Sequence, residues 1–419
     1  MLATRGSSAR SSEVNGVAIA AAMIKILLEE ATNNAEAARV LSNATRPIIQ
    51  RSTAESLTEG EAKKTSAYLE GHMFAVLNVF REDLKSIENE EYALPYDMNP
   101  LTTPNFQRNP LEIWKLSRDN LRDQREKVQP RRKRNGGQEL HETFLIDEKR
   151  YPSYYAQNFH YQSDGWFSKE SADLYDFQVE TLFLGSADAM RRRALPYLNR
   201  YLKKRKNAKL LDVACGTGRF LTFVRQNNPD LECTAMDLSP FYLGKTRTNH
   251  KAFDEKSGKK LKLLEANAED LHSIEDESFD VITCVYLFHE LPLFAQKNVV
   301  REMARVLKTN GKIFFVDSCQ VGDGKKMKKD IESEINQALE TFPQFRHEPY
   351  YRAYSELDLK QLFFENGVLE CEVEDISWVS KMFVFTKPGS GSGAAKLSEF
   401  EEKPSEDEEE LVWVGEKLT

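Results

Sequence analysis

Apolar residues change their spacing several times along the chain, and each change marks an element. Over "VAIAAAMIKILLEEATNNAEAARVL" and "EAKKTSAYLEGHMFAVLNVFREDLKSI" they recur every three or four positions, which predicts helices between residue 14 and about 92. Beyond that, "LPYDMNPLTTPNFQRNP" is too proline-rich for a regular element. "RRKRNGGQ" reads as a basic, solvated linker, with a nuclear signal or a phosphate-binding patch as its alternatives. From about 151 to 388 short apolar runs alternate with amphipathic ones. "KLLDVAC" leads into "GRFLTFVRQNN" and "CTAMDLS" into "PFYLGKTRTNH"; "LKLLEANA" and "FDVITCVYLF" are two more strands. The helix "LFAQKNVVREMARVL" is expected to stop at Asn310 and Gly311, before the strand "KIFFVDS". Such alternation predicts an α/β fold, a doubly wound and mostly parallel sheet of seven strands with helices on both faces. "LECEVEDISWVSKMFVFTKP" has no room for a helix between its two strand-like runs, so it predicts an antiparallel hairpin at the sheet edge.

Composition adds boundaries. Residues 1–13 carry arginine and serine with no acid before Glu13, faintly like a plastid or mitochondrial transit peptide; a ragged, disordered start is the plainer reading, with the cytoplasm as default compartment. Residues 14–150 form a helical N-terminal region ending in the basic linker, 151–194 an aromatic-rich segment and 195–388 the α/β domain. The tail 389–419 is acidic and too poor in apolar residues to fold. The net charge of −8 argues against a dedicated nucleic-acid binder, although the tail holds much of that acid. The five cysteines are scattered, with no CxxC pair and no Cys/His cluster at metal-ligand spacing, so neither a metal site nor a disulfide framework is expected. No apolar run reaches the ~18–20 residues that a membrane-spanning helix needs.

The chemistry concentrates where the first strand breaks, at "LLDVACGTGRF". Gly216 and Gly218 allow positive φ and let a ligand lie against bare backbone, and the following helix offers free N–H groups to an anion. Asp237 closes the second strand, where a carboxylate can accept hydrogen bonds from both hydroxyls of a ribose. A nucleoside cofactor accounts for all three features. The dinucleotide fingerprint G-x-G-x-x-G is incomplete, because Leu221 stands at the third glycine's place.

With these motifs the chain resembles the class I S-adenosylmethionine-dependent methyltransferases over roughly residues 195 to 388. "LLDVACGTGRF" is similar to their glycine-rich first motif and "CTAMDLSP" to the second-strand motif with its acid. "EANAEDL", "FDVITCVYLFHELP" and "REMARVLKTNGKIFFVDS" follow in the family's order, the last two in the style of ubiquinone and menaquinone biosynthesis enzymes (the type 11 domain). The resemblance implies S-adenosyl-L-methionine as cofactor. Gly216 and Gly218, with Ala214 and Thr217, would contact its amino-acid and ribose portions. Asp237 would hold the ribose hydroxyls, Leu238 would pack on the adenine, and Asn267 beside Ala268 would meet the adenine amino group. Asp212 would order the loop or reach the cofactor's ammonium through water. Ala214 departs from a commoner glycine and Asn267 from a commoner aspartate.

Methyl transfer needs alignment and dryness more than covalent help. Tyr286, His289 and Glu290 follow the fourth strand and are the catalytic candidates, His289 being the plausible base, because imidazole titrates near neutrality; a structural histidine is the equal alternative. His160, Tyr161 and Trp166 belong to an aromatic segment that reads either as a lid over a flat or lipophilic acceptor or as ordinary helix packing. A small-molecule acceptor, aromatic or isoprenoid, is the leading expectation. "YLFHELP" lacks the Asn/Asp-Pro-Pro-aromatic motif of base-methylating enzymes, and Glu290 stands alone where arginine-methylating enzymes carry two glutamates. Other RNA or protein acceptors stay open. So does a catalytically silent, partner-binding module, whereas Leu221 and the terminal hairpin disfavour a dinucleotide-dependent oxidoreductase.

Overall fold

The structure is a computed structural model that describes residues 75–98, 110–139 and 151–389, apart from Ser163, Lys328 and Val368. The expected transit-like start, most of the first helical region and the acidic tail lie outside the described residues. Among the described residues no helix is long and apolar enough to cross a membrane.

Seven strands form one sheet: β1 Lys209–Val213, β2 Glu232–Asp237, β3 Lys262–Glu265, β4 Phe279–Val285, β5 Leu307–Ser318, β6 Glu370–Ser377 and β7 Ser380–Thr386. Their order is β3-β2-β1-β4-β5-β7-β6. β1 to β5 run parallel, and β7 is antiparallel to both β5 and β6. The order reverses between β1 and β4, so the carboxyl ends of these two strands open the crevice in which such sheets bind ligands. Alternation along the strands sends Leu211, Ile282, Ile313 and Phe315 to one face and Leu210, Val281, Phe314 and Val384 to the other. The helices Leu293–Val306 and Leu359–Gly367 cover the first face, while Leu195–Leu202 and Arg219–Asn227 cover the second. The doubly wound sheet and the edge hairpin stand as the sequence pattern predicts. One boundary moves: the helix expected to run to Asn310 ends at Val306, because β5 begins at Leu307 and pairs with Phe279 of β4.

The expected basic linker begins inside a helix. Pro110–Asp123 is a helix that continues through a π turn, Gln124–Val128, into Gln129–Lys133. Arg131 is half-buried and its Nη1 donates to the carbonyls of Tyr161 (3.3 Å) and Gln162 (2.7 Å), bracing the aromatic segment. The helical residues 75–88 are also docked. Val76, Val79 and Phe80 pack with Leu184, Met190 and Trp378. Buried Asp83 receives Arg192 Nε at 2.9 Å and Nη2 at 2.6 Å, and Tyr92 Oη at 2.6 Å.

Candidate active site

The bend after β1 holds Ala214 at φ 53°, Gly216 at φ 57° and Gly218 at φ 71°. The two glycines do different work. A Cβ on Gly218 would lie 2.7 Å from His250 Nε2 and 2.8 Å from Thr246 Cγ2, so this residue lets the bend pack on the helix Pro240–Ser257. A Cβ on Gly216 would meet nothing within 4 Å, because Gly216 faces open space. That space is a cleft of about 1040 Å³, part of it open to solvent. Behind the bend, His250 Nε2 lies 3.0 Å from the Gly218 carbonyl and Nδ1 lies 3.2 Å from Arg225 Nη1. Burial, opposed by the Gly218 hydrogen bond, lowers the pKa of His250 to about 4. It is therefore neutral, its Nε2–H donating to the carbonyl.

Asp237 turns towards the bend. Its Oδ2 accepts the Gly216 N–H at 2.8 Å and its Oδ1 the Ser239 N–H at 2.8 Å, which fixes the carboxylate at the carboxyl end of β2. Ser239 Oγ donates in turn to the Trp166 carbonyl, tying the aromatic segment to the acid. Burial raises the Asp237 pKa to about 6 against the backbone hydrogen bonds that lower it. Asp212 is buried beneath the bend, accepts Thr283 Oγ1 at 2.6 Å, and is pushed by burial to about 7. All nine residues assigned to the cofactor except Gly218 line this one cleft: Asp212, Ala214, Gly216, Thr217, Asp237, Leu238, Asn267 and Ala268. Leu221 is fully buried in the core.

The remaining candidates separate. Tyr286 and Glu290 line the cleft, and Tyr286 Oη donates to Ser380 Oγ at 3.0 Å. His289 is not among the cleft-lining residues. Its Nδ1 contacts Asp317 Oδ1 at 2.6 Å, and its ring packs on Tyr351 and Tyr354 at centroid distances of 5.9 and 6.2 Å. Burial lowers the His289 pKa, but Asp317, Glu348 and Glu290 outweigh it and bring it to about 10. His289 is thus held by Asp317 behind the cleft wall, with Nε2 3.8 Å from Glu290 Oε1, the structural pairing named as the equal alternative to a base. The lid residues separate too. Trp166 lines the cleft, edge-on to Tyr175 and Tyr242 at 5.7 and 5.4 Å. Tyr161 turns away and donates to Asn135 Oδ1 at 3.1 Å. His160 reaches Glu290 Oε1 with Nε2 at 3.3 Å.

Three contributors had no motif to reveal them. Asp176, on the helix Lys169–Leu182, lines the cleft and is buried; its Oδ1 accepts Thr217 Oγ1 at 2.7 Å, whereas Oδ2 has no hydrogen-bond partner among the described residues. Arg191 lines the same wall, with its guanidinium 5.5 Å from the Tyr286 ring centroid. Glu348 is buried beside His160. The only prior signal for Asp176 and Arg191 was their place in an aromatic, charged segment just before the bend.

Residues 210–311 match a family model described as a methyltransferase domain. The chain contains a class I S-adenosylmethionine-dependent methyltransferase domain. Relatives of this domain include a demethylmenaquinone methyltransferase of Listeria welshimeri, 31% identical over 120 residues, or 28% of this chain and 48% of that protein. An uncharacterised methyltransferase-like protein of Schizosaccharomyces pombe is 31% identical over 107 residues, 26% of this chain and 37% of its own. This chain thus spans about half or less of these two relatives. A solved SAM-dependent methyltransferase from Methanosarcina mazei aligns with 46% of this chain and 97% of its own at 18% identity and a TM-score of 0.35. The family-matched residues 210–311 include the bend, Asp237 and Glu290, while the aromatic segment and Asp176 lie outside them.

Proposed function

We propose that this protein binds S-adenosylmethionine in the cleft and transfers its methyl group to a small aromatic or isoprenoid acceptor. The observation that carries the reading is Asp237, held by the Gly216 N–H beside a glycine whose missing side chain leaves the cleft open. The donor set fits the cofactor. Each Asp237 oxygen keeps a lone pair for a ribose hydroxyl, and Leu238, Asn267 and Ala268 line the place for an adenine. The unpartnered Asp176 Oδ2 suits an ammonium and Arg191 a carboxylate, the two charges of the cofactor's amino-acid portion. When bound, S-adenosylmethionine supplies an electrophilic methyl group on a cationic sulfur. The chain's own task is to orient the two reactants and exclude water, with Tyr155, Trp166, Tyr175 and Tyr242 lining an aromatic wall beside a flat acceptor.

Titration calorimetry with S-adenosylhomocysteine tests this. The full chain is expected to bind it, and Asp237→Ala to lose at least about tenfold in affinity while keeping its fold, since one hydrogen-bonded charge contributes about 1.5–3 kcal/mol. Affinity should also fall as pH drops through about 6, where Asp237 takes up a proton, and hold steady above it. Well-folded protein that does not bind would leave the silent-module reading in its place.

A further inference from the structure

The acceptor end of the cleft carries a constellation that the cofactor does not use. Glu290, just beyond β4, presents its Oε1 to two imidazoles: His160 Nε2 at 3.3 Å and His289 Nε2 at 3.8 Å. His160 arrives from the aromatic segment, and its Nδ1 stands 2.9 Å from Oε1 of Glu348. The Glu348 side chain is wholly buried, and neither of its oxygens has a hydrogen-bond partner among the described residues. A buried carboxylate needs a cation, and His160 stands within ion-pair distance of it. His160 therefore stands as a bridge between two carboxylates, one sealed in the protein and one on the cleft wall.

The backbone around His160 is built to hold it there. His160 and Tyr161 both have φ 56° and Asp164 has φ 61°, left-handed values that strain L side chains and persist only where the surroundings enforce them. Enforcement is visible: Arg131 holds the carbonyls of Tyr161 and Gln162, and the Asn158 N–H donates to the Gly137 carbonyl at 2.7 Å. Both imidazole contacts run to Oε1 of Glu290, a residue that lines the cleft, and among the described residues neither imidazole contact takes Oε2.

Resting on the methyltransferase reading above, we propose that Glu290 accepts the polar hydrogen of the methyl acceptor, which is therefore a flat ring bearing an O–H or N–H, and that His160 is the positioning residue that fixes Glu290 for it. The rings of Tyr155, Trp166 and Tyr175 in the same cleft match the flat part, and the carboxylate matches the polar hydrogen.

A pair of probes differing only in that hydrogen tests the proposal: 2-naphthol and 2-methoxynaphthalene, titrated by fluorescence into the full chain saturated with S-adenosylhomocysteine. The wild type should prefer 2-naphthol by about tenfold or more, the worth of one hydrogen bond to a charged group. Glu290→Ala should abolish the preference. Because His160→Ala alone would strand Glu348, the double variant His160→Gln/Glu348→Gln removes both charges together. It should cut the preference several-fold while S-adenosylhomocysteine affinity stays at the wild-type value, which general loosening of the fold would not allow. Equal binding of the two probes, no binding of 2-naphthol, or a full preference in the double variant would each overturn the proposal. Failure of the wild type to bind S-adenosylhomocysteine would instead remove the methyltransferase reading itself, and this proposal with it.

Discussion

Gly216 and Gly218 look interchangeable in the motif, yet their surroundings give them separate costs. Alanine at either must accept a left-handed backbone, a penalty of roughly 1–2 kcal/mol. At Gly218 the new methyl would also press on His250 and Thr246, which are buried and hydrogen-bonded to this same bend, adding an overpacking cost of about 1–3 kcal/mol. Gly216→Ala is therefore expected to melt only slightly early but to bind S-adenosylhomocysteine poorly. Gly218→Ala should show the larger fall in melting temperature. Thermal denaturation with and without S-adenosylhomocysteine separates them, and equal melting temperatures would contradict the division of labour. Both glycines and Asp237 could be read from the sequence because a bend and its acid are local patterns. Asp176 could not, since a single carboxylate on an amphipathic helix has no signature until folding leaves one of its oxygens without a partner.

Between elements, the turn after β4 is locked to the end of β5. Asp317 accepts the Phe288 N–H at 2.7 Å, the Ser318 N–H at 2.7 Å and the His289 imidazole. His289→Ala leaves that buried carboxylate without its cation, and the expected result is a loss of about 3–5 kcal/mol in stability. The sign with pH follows from a folded pKa of about 10, above the ordinary value near 6.5: the stabilisation is complete below about pH 6.5 and is lost as pH rises through 10. Chemical denaturation at pH 6 and pH 10 checks this, since the gap between wild type and variant should narrow at the higher pH. The spacing of "YLFHELP" placed His289 close to the cleft, but only the register of β5 decides which way its ring turns. Residues 329–367 illustrate the same limit. Their helices carry Glu348 to the aromatic segment, a contact between positions 188 apart in sequence that no periodicity encodes.

At the scale of the molecule, the N-terminal helix is part of the same packed body as the sheet. Asp83 and Arg192 are both buried and joined by two hydrogen bonds across 109 positions, with Tyr92 closing the group. Asp83→Ala should therefore destabilise the whole chain by about 3–5 kcal/mol, because the Arg192 guanidinium is stranded away from water. A single, earlier unfolding transition is the expected calorimetric trace; an unchanged main transition would mean the helix melts independently. The doubly wound sheet and its edge hairpin were legible because they follow from alternation, and the glycine bend with its acid because it is a short motif. How the N-terminal segments dock was not, since charged pairs buried at long range read in sequence as ordinary solvated faces.

The cleft has two differently sourced halves. One comes from residues 210–311, the stretch that matches a methyltransferase domain, and carries both Asp237 and Glu290, whereas Tyr155, Trp166 and Tyr175 precede that stretch and Glu348, against which His160 rests, follows it. Kinship over the shared stretch thus speaks to the methyl donor and is silent about what gets methylated. Grafting a new substrate choice onto this scaffold would require exchanging Glu290 together with two distant flanking pieces of chain, since His160 comes from one of them and Glu348 from the other.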